Sequence, residues 1–246
     1  MLRCWKRLRL TQLASSDMRM SAEQRFGRHF SMIALVSILA GTIGNTLPSA
    51  AADAGSTEQL QYQVQHSKFG KIGTYTNMVQ RAGDMTTVQT TAHFLVTMLG
   101  VGLHREDAER TERWRGGRLI SFVGITKKNG DTIRIKGEAS DTDFVITSPL
   151  GTFNAPAMVQ PANPWSVRCL NSTTMMRVDT GKIEKVRVTG GANTTVAVAG
   201  ANIPTRQYEI NGATPYKIWF DQNDIPVMFA VDDDSGKITF TLESKR

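Results

Sequence analysis

The chain of 246 residues carries 29 lysine and arginine residues and 22 aspartate and glutamate residues, a formal net charge of +7. Residues 1–52 hold seven of the basic residues and two of the acidic ones, so residues 53–246 retain 22 basic and 20 acidic residues, a net charge of +2. Because these remaining charges of both signs are interspersed, the composition argues against a nucleic-acid-binding protein. A length of about 190 residues suits one domain with a substantial core.

Residues 1–52 have the three parts of a bacterial secretion signal. A basic region, longer than is usual for such signals, is followed by an apolar run at residues 31–43 and by Ala50-Ala51-Ala52. The run is shorter than the about 20 apolar residues that a membrane-spanning helix needs, which disfavours the alternative of a retained anchor. Leu39-Ala40-Gly41 is followed by Thr42 and not by the cysteine of a lipoprotein signal. We therefore predict a Sec-type signal cleaved after residue 52, a periplasmic location, no lipid attachment and no stable membrane span.

Alternating polar and apolar residues predict that residues 53–246 form a single antiparallel β domain. In residues 59–65, glutamine alternates with Leu60, Tyr62 and Val64, as expected of a half-buried strand. Tight turns join such segments without long helices between them, which favours a meander over βαβ units. The predicted strands cover residues 59–65, 72–80, 85–99, 104–113, 118–128, 132–136, 186–188, 194–199, 207–210, 217–221, 225–231 and 237–243.

The sequence also predicts one hairpin turn and one long stretch without strands. Asn129-Gly130 is a strong signal for a two-residue hairpin turn. Residues 149–176 are rich in proline and predict a loop with one short helix, which starts near Pro164 and is capped by Asn163. We expect this stretch to cross a face of the sheet or to cover an opening.

The charged stretch at residues 104–113 fits two structures. Glu106 with Arg110, and Glu109 with Arg113, have the spacing of stabilising pairs on a helix. No helical face of this stretch is apolar, however, and strands are predicted on both sides, so we favour a solvent-exposed polar strand. Such a strand is able to dock an envelope protein through its charges. The candidates for this docking face are Glu106, Glu109, Glu112 and Arg113.

Three groups of segments share their order and spacing with a known family. They are Gly70-Lys71-Ile72-Gly73 with Arg81-Ala82-Gly83-Asp84, residues 111–119 leading to Asn129-Gly130, and Ile218-Trp219-Phe220-Asp221 with Pro226-Val227-Met228. In this order they resemble a domain-of-unknown-function family of Gram-negative periplasmic proteins, similar in outline to the half-barrels of the lipoprotein carriers LolA and LolB. The resemblance implies an all-β fold, in which a curved antiparallel meander sheet (a half-barrel or open barrel) is covered by one loop or short helix. It also implies a periplasmic location, and it implies no reaction.

Candidate catalytic and metal-binding residues are few. Cys169 has no histidine or glycine-rich turn near it in the sequence, so a buried structural thiol is favoured over a nucleophile. The histidines are scattered singly, and Asp232-Asp233-Asp234 lacks the ligand spacing of a calcium loop and fits a hairpin turn. We therefore predict no catalytic residue, no metal site and no cofactor, and an enzyme is the least favoured class.

Several predicted strands are apolar on both faces, and the functional expectation depends on this feature. Residues 119–125 and 225–231 place large apolar side chains on both sides of the sheet. Such a sheet is either covered twice, here by residues 149–176, or presents an apolar groove to a lipid or another apolar small molecule. We expect an exported protein that binds a hydrophobic ligand or envelope component, with a protein–protein interaction module as the alternative. The predicted groove residues are Trp114, Phe122, Trp165, Trp219 and Met228.

Overall fold

Sixteen β-strands and one short 3-10 helix make up the part of the chain that the computed structural model describes, residues 55–98, 101–233 and 235–246. No helix in this part is long and apolar enough to span a membrane. The predicted secretion signal lies outside the described residues.

The elements follow one another closely along the chain. The strands are β1 Ser56–His66, β2 Gly70–Ala82, β3 Met85–Met98, β4 Val101–Arg115, β5 Arg118–Lys128, β6 Asp131–Ala139, β7 Asp143–Ser148, β8 Gly151–Pro156, β9 Gln160–Pro161, β10 Thr174–Met176, β11 Ile183–Lys185, β12 Arg187–Val198, β13 Ala201–Asn211, β14 Tyr216–Phe220, β15 Pro226–Asp233 and β16 Gly236–Lys245. The 3-10 helix, Val167–Asn171, lies between β9 and β10.

Thirteen of the strands form one antiparallel sheet in which neighbours in the chain are mostly neighbours in space. Its order is β12-β13-β14-β15-β16-β1-β2-β3-β4-β5-β6-β7-β8. The first strand therefore pairs with the last, and β8 and β12 lie at the two edges. The sheet is curved and is not closed into a barrel. The predicted all-β fold class and antiparallel meander are confirmed.

The Asn129-Gly130 turn joins β5 to β6, as predicted. The two residues have positive φ angles, 50° for Asn129 and 95° for Gly130. A two-residue turn between twisted antiparallel strands requires this backbone conformation, and asparagine and glycine adopt it most readily.

Two parts of the sheet differ from the predicted strands. Residues 143–148 and 151–156 form the hairpin of β7 and β8, whereas the sequence predicts a loop from residue 149 onward. The position of β8 at the sheet edge explains this difference, because an edge strand tolerates the terminal Pro156. The predicted strands 186–188 and 194–199 merge into the single strand β12, since Gly190, with a φ of 110°, lies in a bulge that keeps both halves paired with β13.

Residues 157–186, here called the crossing segment, pack against one face of the large sheet, here called the inner face. The crossing segment contains a small sheet of order β11-β10-β9 and the 3-10 helix. Its Met175 and Met176 are buried in two different clusters of the core, so the predicted covering of a sheet face is confirmed. Ser166 caps the helix by accepting the Arg168 amide, and the predicted cap at Asn163 is wrong.

The charged stretch at residues 104–113 belongs to strand β4, as favoured, but the expectation of full solvent exposure is wrong. Arg110, Glu112 and Trp114 alternate along the inner face and are buried. Glu109 and Arg113 lie on the opposite, outer face and are exposed. The cause is the position of β4 inside the sheet, between β3 and β5, where the crossing segment covers its inner face.

Candidate functional site

An apolar cavity of about 270 Å³ lies between the inner face and the crossing segment. Most of its wall is aromatic or aliphatic. The apolar lining includes Tyr75, Phe94, Phe229 and Phe240 from the sheet. The crossing segment contributes Met175 and Val186. Charged residues lie at only a few positions of the lining. They are Glu106, Arg110, Arg177, Asp179 and Glu184.

The register of the strands builds the aromatic wall of this cavity. Phe229 of β15 pairs with Phe240 of β16, and their rings stack with centroids 4.2 Å apart. Tyr75 of β2 meets both rings edge-on, at centroid distances of 5.8 Å from Phe229 and 5.5 Å from Phe240. The wall therefore depends on the pairing of the last strand with the first, which brings β15 and β16 next to β1 and β2.

The predicted groove residues Trp219 and Met228 lie on the other face of the sheet. They pair with each other across β14 and β15, one position along from the inward-facing pair of Ile218 and Phe229. Trp219 and Met228 pack with a small separate cluster that includes Val227. They are therefore not part of the cavity.

The other three predicted groove residues are buried in the core. Phe122 is inaccessible to solvent, and Trp114 and Trp165 meet edge to face with centroids 5.8 Å apart. The two indoles also line a second cavity of about 310 Å³, together with Arg81 and Arg168. None of the five predicted groove residues lines the aromatic cavity, so their role in ligand binding stays a prediction.

A buried hydrogen-bond network joins the crossing segment to the inner face beside the cavity. Its centre is Glu112 of β4, whose Oε2 accepts the indole N–H groups of Trp114 at 3.0 Å and Trp165 at 2.9 Å. The Oε1 atom of Glu112 accepts the side-chain amide of Asn163 at 2.7 Å. Asn163 in turn accepts the Tyr75 hydroxyl at 2.7 Å, which connects the network to the aromatic wall of the cavity.

The environment of Glu112 sets its charge. Burial raises the pKa of Glu112 to about 7, against the hydrogen bonds from Asn163, Trp165 and Trp114 and the positive charge of Arg110, which lower it. The carboxyl group therefore changes its charge near neutral pH. Because Glu112 is fully buried, its predicted place on an exposed docking face is wrong.

The other three docking candidates are divided between the two faces of β4. Glu109 and Arg113 are exposed on the outer face. Glu106 lines the cavity, and its carboxylate lies 3.7 Å from the ammonium group of Lys128. The strand therefore does not present these charges on one surface, and docking through Glu109 and Arg113 stays a prediction.

A charged cluster in the cavity lining joins the crossing segment to the turn between β13 and β14. Arg177 forms ion pairs with Asp179 at 2.6 Å and Glu184 at 3.7 Å, and its guanidinium also donates to the Thr214 hydroxyl. Burial acts to raise the pKa of Asp179, but the hydrogen bonds and the charge of Arg177 hold it below its ordinary value. Both carboxylates are therefore paired with Arg177.

The described residues contain one cysteine, Cys169, which is buried in the 3-10 helix. Burial raises the pKa of its thiol to about 12, so the thiol stays protonated at neutral pH and is not activated as a nucleophile. Within the same part of the chain, no three His, Cys, Asp or Glu side chains are placed to hold a metal ion.

The fold and the cavity define an all-β protein with an open, curved sheet whose inner face is covered. Residues 62–243 match the domain-of-unknown-function family DUF6134, and the chain belongs to this family. The predicted resemblance to a β-rich family of unknown function is confirmed. The crystal structure of a beta-barrel-like protein of domain of unknown function DUF1849 from Brucella abortus is similar, with a TM-score of 0.59 and 12% sequence identity over 77% of this chain and 97% of that chain. No curated protein matches the chain.

Proposed function

We propose that this protein is an exported envelope protein that binds an apolar small molecule in the cavity between the inner face and the crossing segment. One observation carries the proposed ligand binding, the cavity of about 270 Å³ walled by Tyr75, Phe229 and Phe240. Small-molecule sites are enclosed clefts, mainly aromatic and aliphatic, with a few polar groups that fix the ligand's orientation. The cavity has this composition, and its volume is close to the lower end, about 300 Å³, of the usual range.

The size of the cavity also supports an occupant over an imperfectly packed core. Protein interiors are packed as densely as organic crystals, with few voids larger than a water molecule. The core of the sheet is closed to water, since Leu60, Tyr62 and Phe122 are fully buried. An apolar space of about 270 Å³ beside such a core is better explained as a site for a ligand.

Titration with an uncharged apolar dye tests this proposal. N-phenylnaphthylamine fluoresces when it leaves water for an apolar site, and we expect saturable binding of one dye per protein. The dye signal should fall when an apolar ligand from an envelope extract is added. A signal that rises linearly without saturation, as expected of non-specific adsorption, would contradict the proposal.

The proposed location has a separate test. Export with removal of residues 1–52 predicts that the protein occurs in the periplasmic fraction of the producing cell with a new N-terminus at Asp53. Mass spectrometry of the fractionated protein measures this. Recovery from the cytoplasm with the N-terminal region intact would contradict export and would leave ligand binding as a separate question.

A further inference from the structure

Arg110 is a buried cation in the wall of the aromatic cavity, and no carboxylate of the described residues forms an ion pair with it. Its charge acts on Glu112 and Asp179 only from beyond 4.0 Å. It is only 6% exposed, and it belongs to the cavity lining. Its Nε atom donates to the Val178 carbonyl oxygen at 3.3 Å, and this is the one side-chain hydrogen bond that it makes to the described residues. No carboxylate oxygen of the described residues lies within 4.0 Å of its guanidinium nitrogens.

The residues around Arg110 leave its two terminal guanidinium nitrogens without a hydrogen-bond partner among the described residues. Its cross-strand neighbours are Thr90 on β3 and Gly124 on β5. The Thr90 hydroxyl is engaged by two asparagine side chains, and Gly124 has no side chain to offer. Glu112, the next inner-face residue of β4, accepts three N–H groups from other residues. The terminal nitrogens of Arg110 are not fully enclosed by protein atoms, and the residue lines the cavity.

The remaining charged residues of the lining have partners of their own. Arg177 pairs with Asp179 and Glu184, the two acids contributed by the crossing segment. Glu106 of β4 pairs with a lysine of β5. Among the described residues of the lining, Arg110 is therefore the one charged group without an ion pair.

A buried charge is costly unless it is paired, and the usual partner of a guanidinium is a carboxylate or a phosphate that receives two parallel N–H bonds. An apolar cavity with one guanidinium that lacks an ion pair in its wall matches a molecule with an apolar chain and an anionic head. We propose that the ligand is a single-chain amphiphile whose carboxylate or phosphate head binds Arg110 while its chain occupies the aromatic part of the cavity. The volume of the cavity suits a ligand with one hydrocarbon chain and is too small for a lipid with several hydrocarbon chains. This inference rests on the proposed function, since it names the class of ligand for the same cavity.

Displacement of N-phenylnaphthylamine by matched twelve-carbon ligands tests the inference on the purified protein. Laurate and dodecyl phosphate carry the two anionic heads, whereas lauryl alcohol has the same chain without a charge. A charge-assisted hydrogen bond contributes enough that we expect at least one anionic ligand to bind about tenfold to a hundredfold more tightly than the alcohol. The order of laurate and dodecyl phosphate identifies the preferred head.

Substitution of the arginine gives the second arm of the test. Arg110→Met keeps a long apolar side chain and removes the charge, so the preference for the anionic ligand should disappear while the affinity for lauryl alcohol stays within about twofold. Arg113→Met is the matched control, because Arg113 lies on the exposed outer face of the same strand, and it should leave all affinities unchanged. If Arg110→Met does not fold, Arg110→Gln, which also removes the charge, makes the same test of the arginine, and the comparison of the ligands on the unchanged protein still decides whether the cavity prefers an anionic head.

The outcomes separate this inference from the proposed function. Equal binding of lauryl alcohol and both anionic ligands would overturn the inference and would leave the cavity as an apolar site. An anionic preference that Arg110→Met retains would also overturn it, since another group would then hold the head. Failure of the dye and of all three ligands to bind would contradict the proposed function itself and this inference with it.

Discussion

The indole N–H of Trp165 donates to the carboxylate of Glu112 at 2.9 Å and so joins the crossing segment to the middle of the large sheet. Both residues are buried, with 9% of Trp165 and none of Glu112 exposed. The same carboxylate accepts the side-chain amide of Asn163, a second residue of the crossing segment. The cavity lies between this segment and the sheet, so these two hydrogen bonds fix one side of the proposed ligand site.

Replacement of Trp165 by phenylalanine should destabilise the protein. The change keeps most of the buried ring and removes one N–H donor from a buried carboxylate, and hydrogen bonds to charged groups contribute about 1.5–3 kcal/mol. We expect a loss of that size in the free energy of unfolding, measured by urea denaturation at pH 8. Trp219→Phe is the matched control, because the described residues offer its indole N–H no hydrogen bond, and it should cost less. Equal losses for the two variants would show that the network does not stabilise the fold.

The stability of the protein should fall as the pH rises through neutrality because of Glu112. Burial raises the pKa of Glu112 from its ordinary 4.5 to about 7, so the folded protein holds this proton more tightly than the unfolded chain does. The resulting stabilisation is complete below about pH 4.5 and is lost as the pH rises through about 7, and its full size is roughly 3 kcal/mol.

Glu112→Gln isolates this contribution, because glutamine does not titrate. The difference in free energy of unfolding between the original protein and Glu112→Gln should decline by roughly 3 kcal/mol from about pH 4.5 to pH 8. Glu109→Gln, an exposed change on the outer face of the same strand, should give a difference that stays nearly constant. Parallel stability curves for the original protein and Glu112→Gln would contradict the raised pKa.

Filling the cavity should abolish ligand binding without unfolding the protein. Val231 of β15 lines the cavity, and Val231→Trp places a large ring in the space that the ligand needs. We expect the saturable binding of N-phenylnaphthylamine to disappear while the thermal midpoint changes by only a few degrees. Val123→Trp is the matched control, since Val123 is 46% exposed, and it should bind the dye normally. Normal dye binding by Val231→Trp would place the dye site elsewhere.

Gly73 of β2 should not tolerate any side chain. A Cβ atom at this position would lie 1.8 Å from the carbonyl oxygen of His93 on β3, and a backbone atom in a sheet cannot move away cheaply. Gly73→Ala should therefore lower the free energy of unfolding by about 1–3 kcal/mol, the loss typical of overpacking, or by more. Gly102→Ala in β4 meets nothing within 4 Å and should be nearly neutral. Urea denaturation of both variants measures the difference, and a neutral Gly73→Ala would contradict the close approach of β2 and β3.

The sheet was predictable from the sequence because the residue patterns that predict its strands and turns are local. Period-two alternation marks most strands, and the Asn129-Gly130 turn fixes one hairpin from two residues alone. The position of β8 was not predictable, since Pro156 is compatible with a strand only at a sheet edge, and the edge is a property of the whole sheet. In β16, the alternation of Ile238, Phe240 and Leu242 with polar residues puts these three side chains on one face of the sheet, and Phe240 lines the cavity.

The candidate site was harder to predict because it depends on contacts between distant residues. The sequence shows that Glu112 is charged, and only the crossing segment, about 50 residues away, makes it buried. Tryptophan size does not distinguish a core residue such as Trp114 from a ligand-lining one. Arg110 has an apparent i,i+4 partner in Glu106, but in a strand these two side chains do not pair, and Glu106 lies near Lys128 instead.

Native mass spectrometry of the protein, purified from its own cell envelope without detergent, tests the binding of an amphiphile most directly. We predict a species heavier than the ligand-free protein by the mass of one anionic single-chain amphiphile, and we predict that Val231→Trp lacks this species. A ligand-free mass alone, together with no laurate or dodecyl phosphate bound when either is added in excess, would contradict the account.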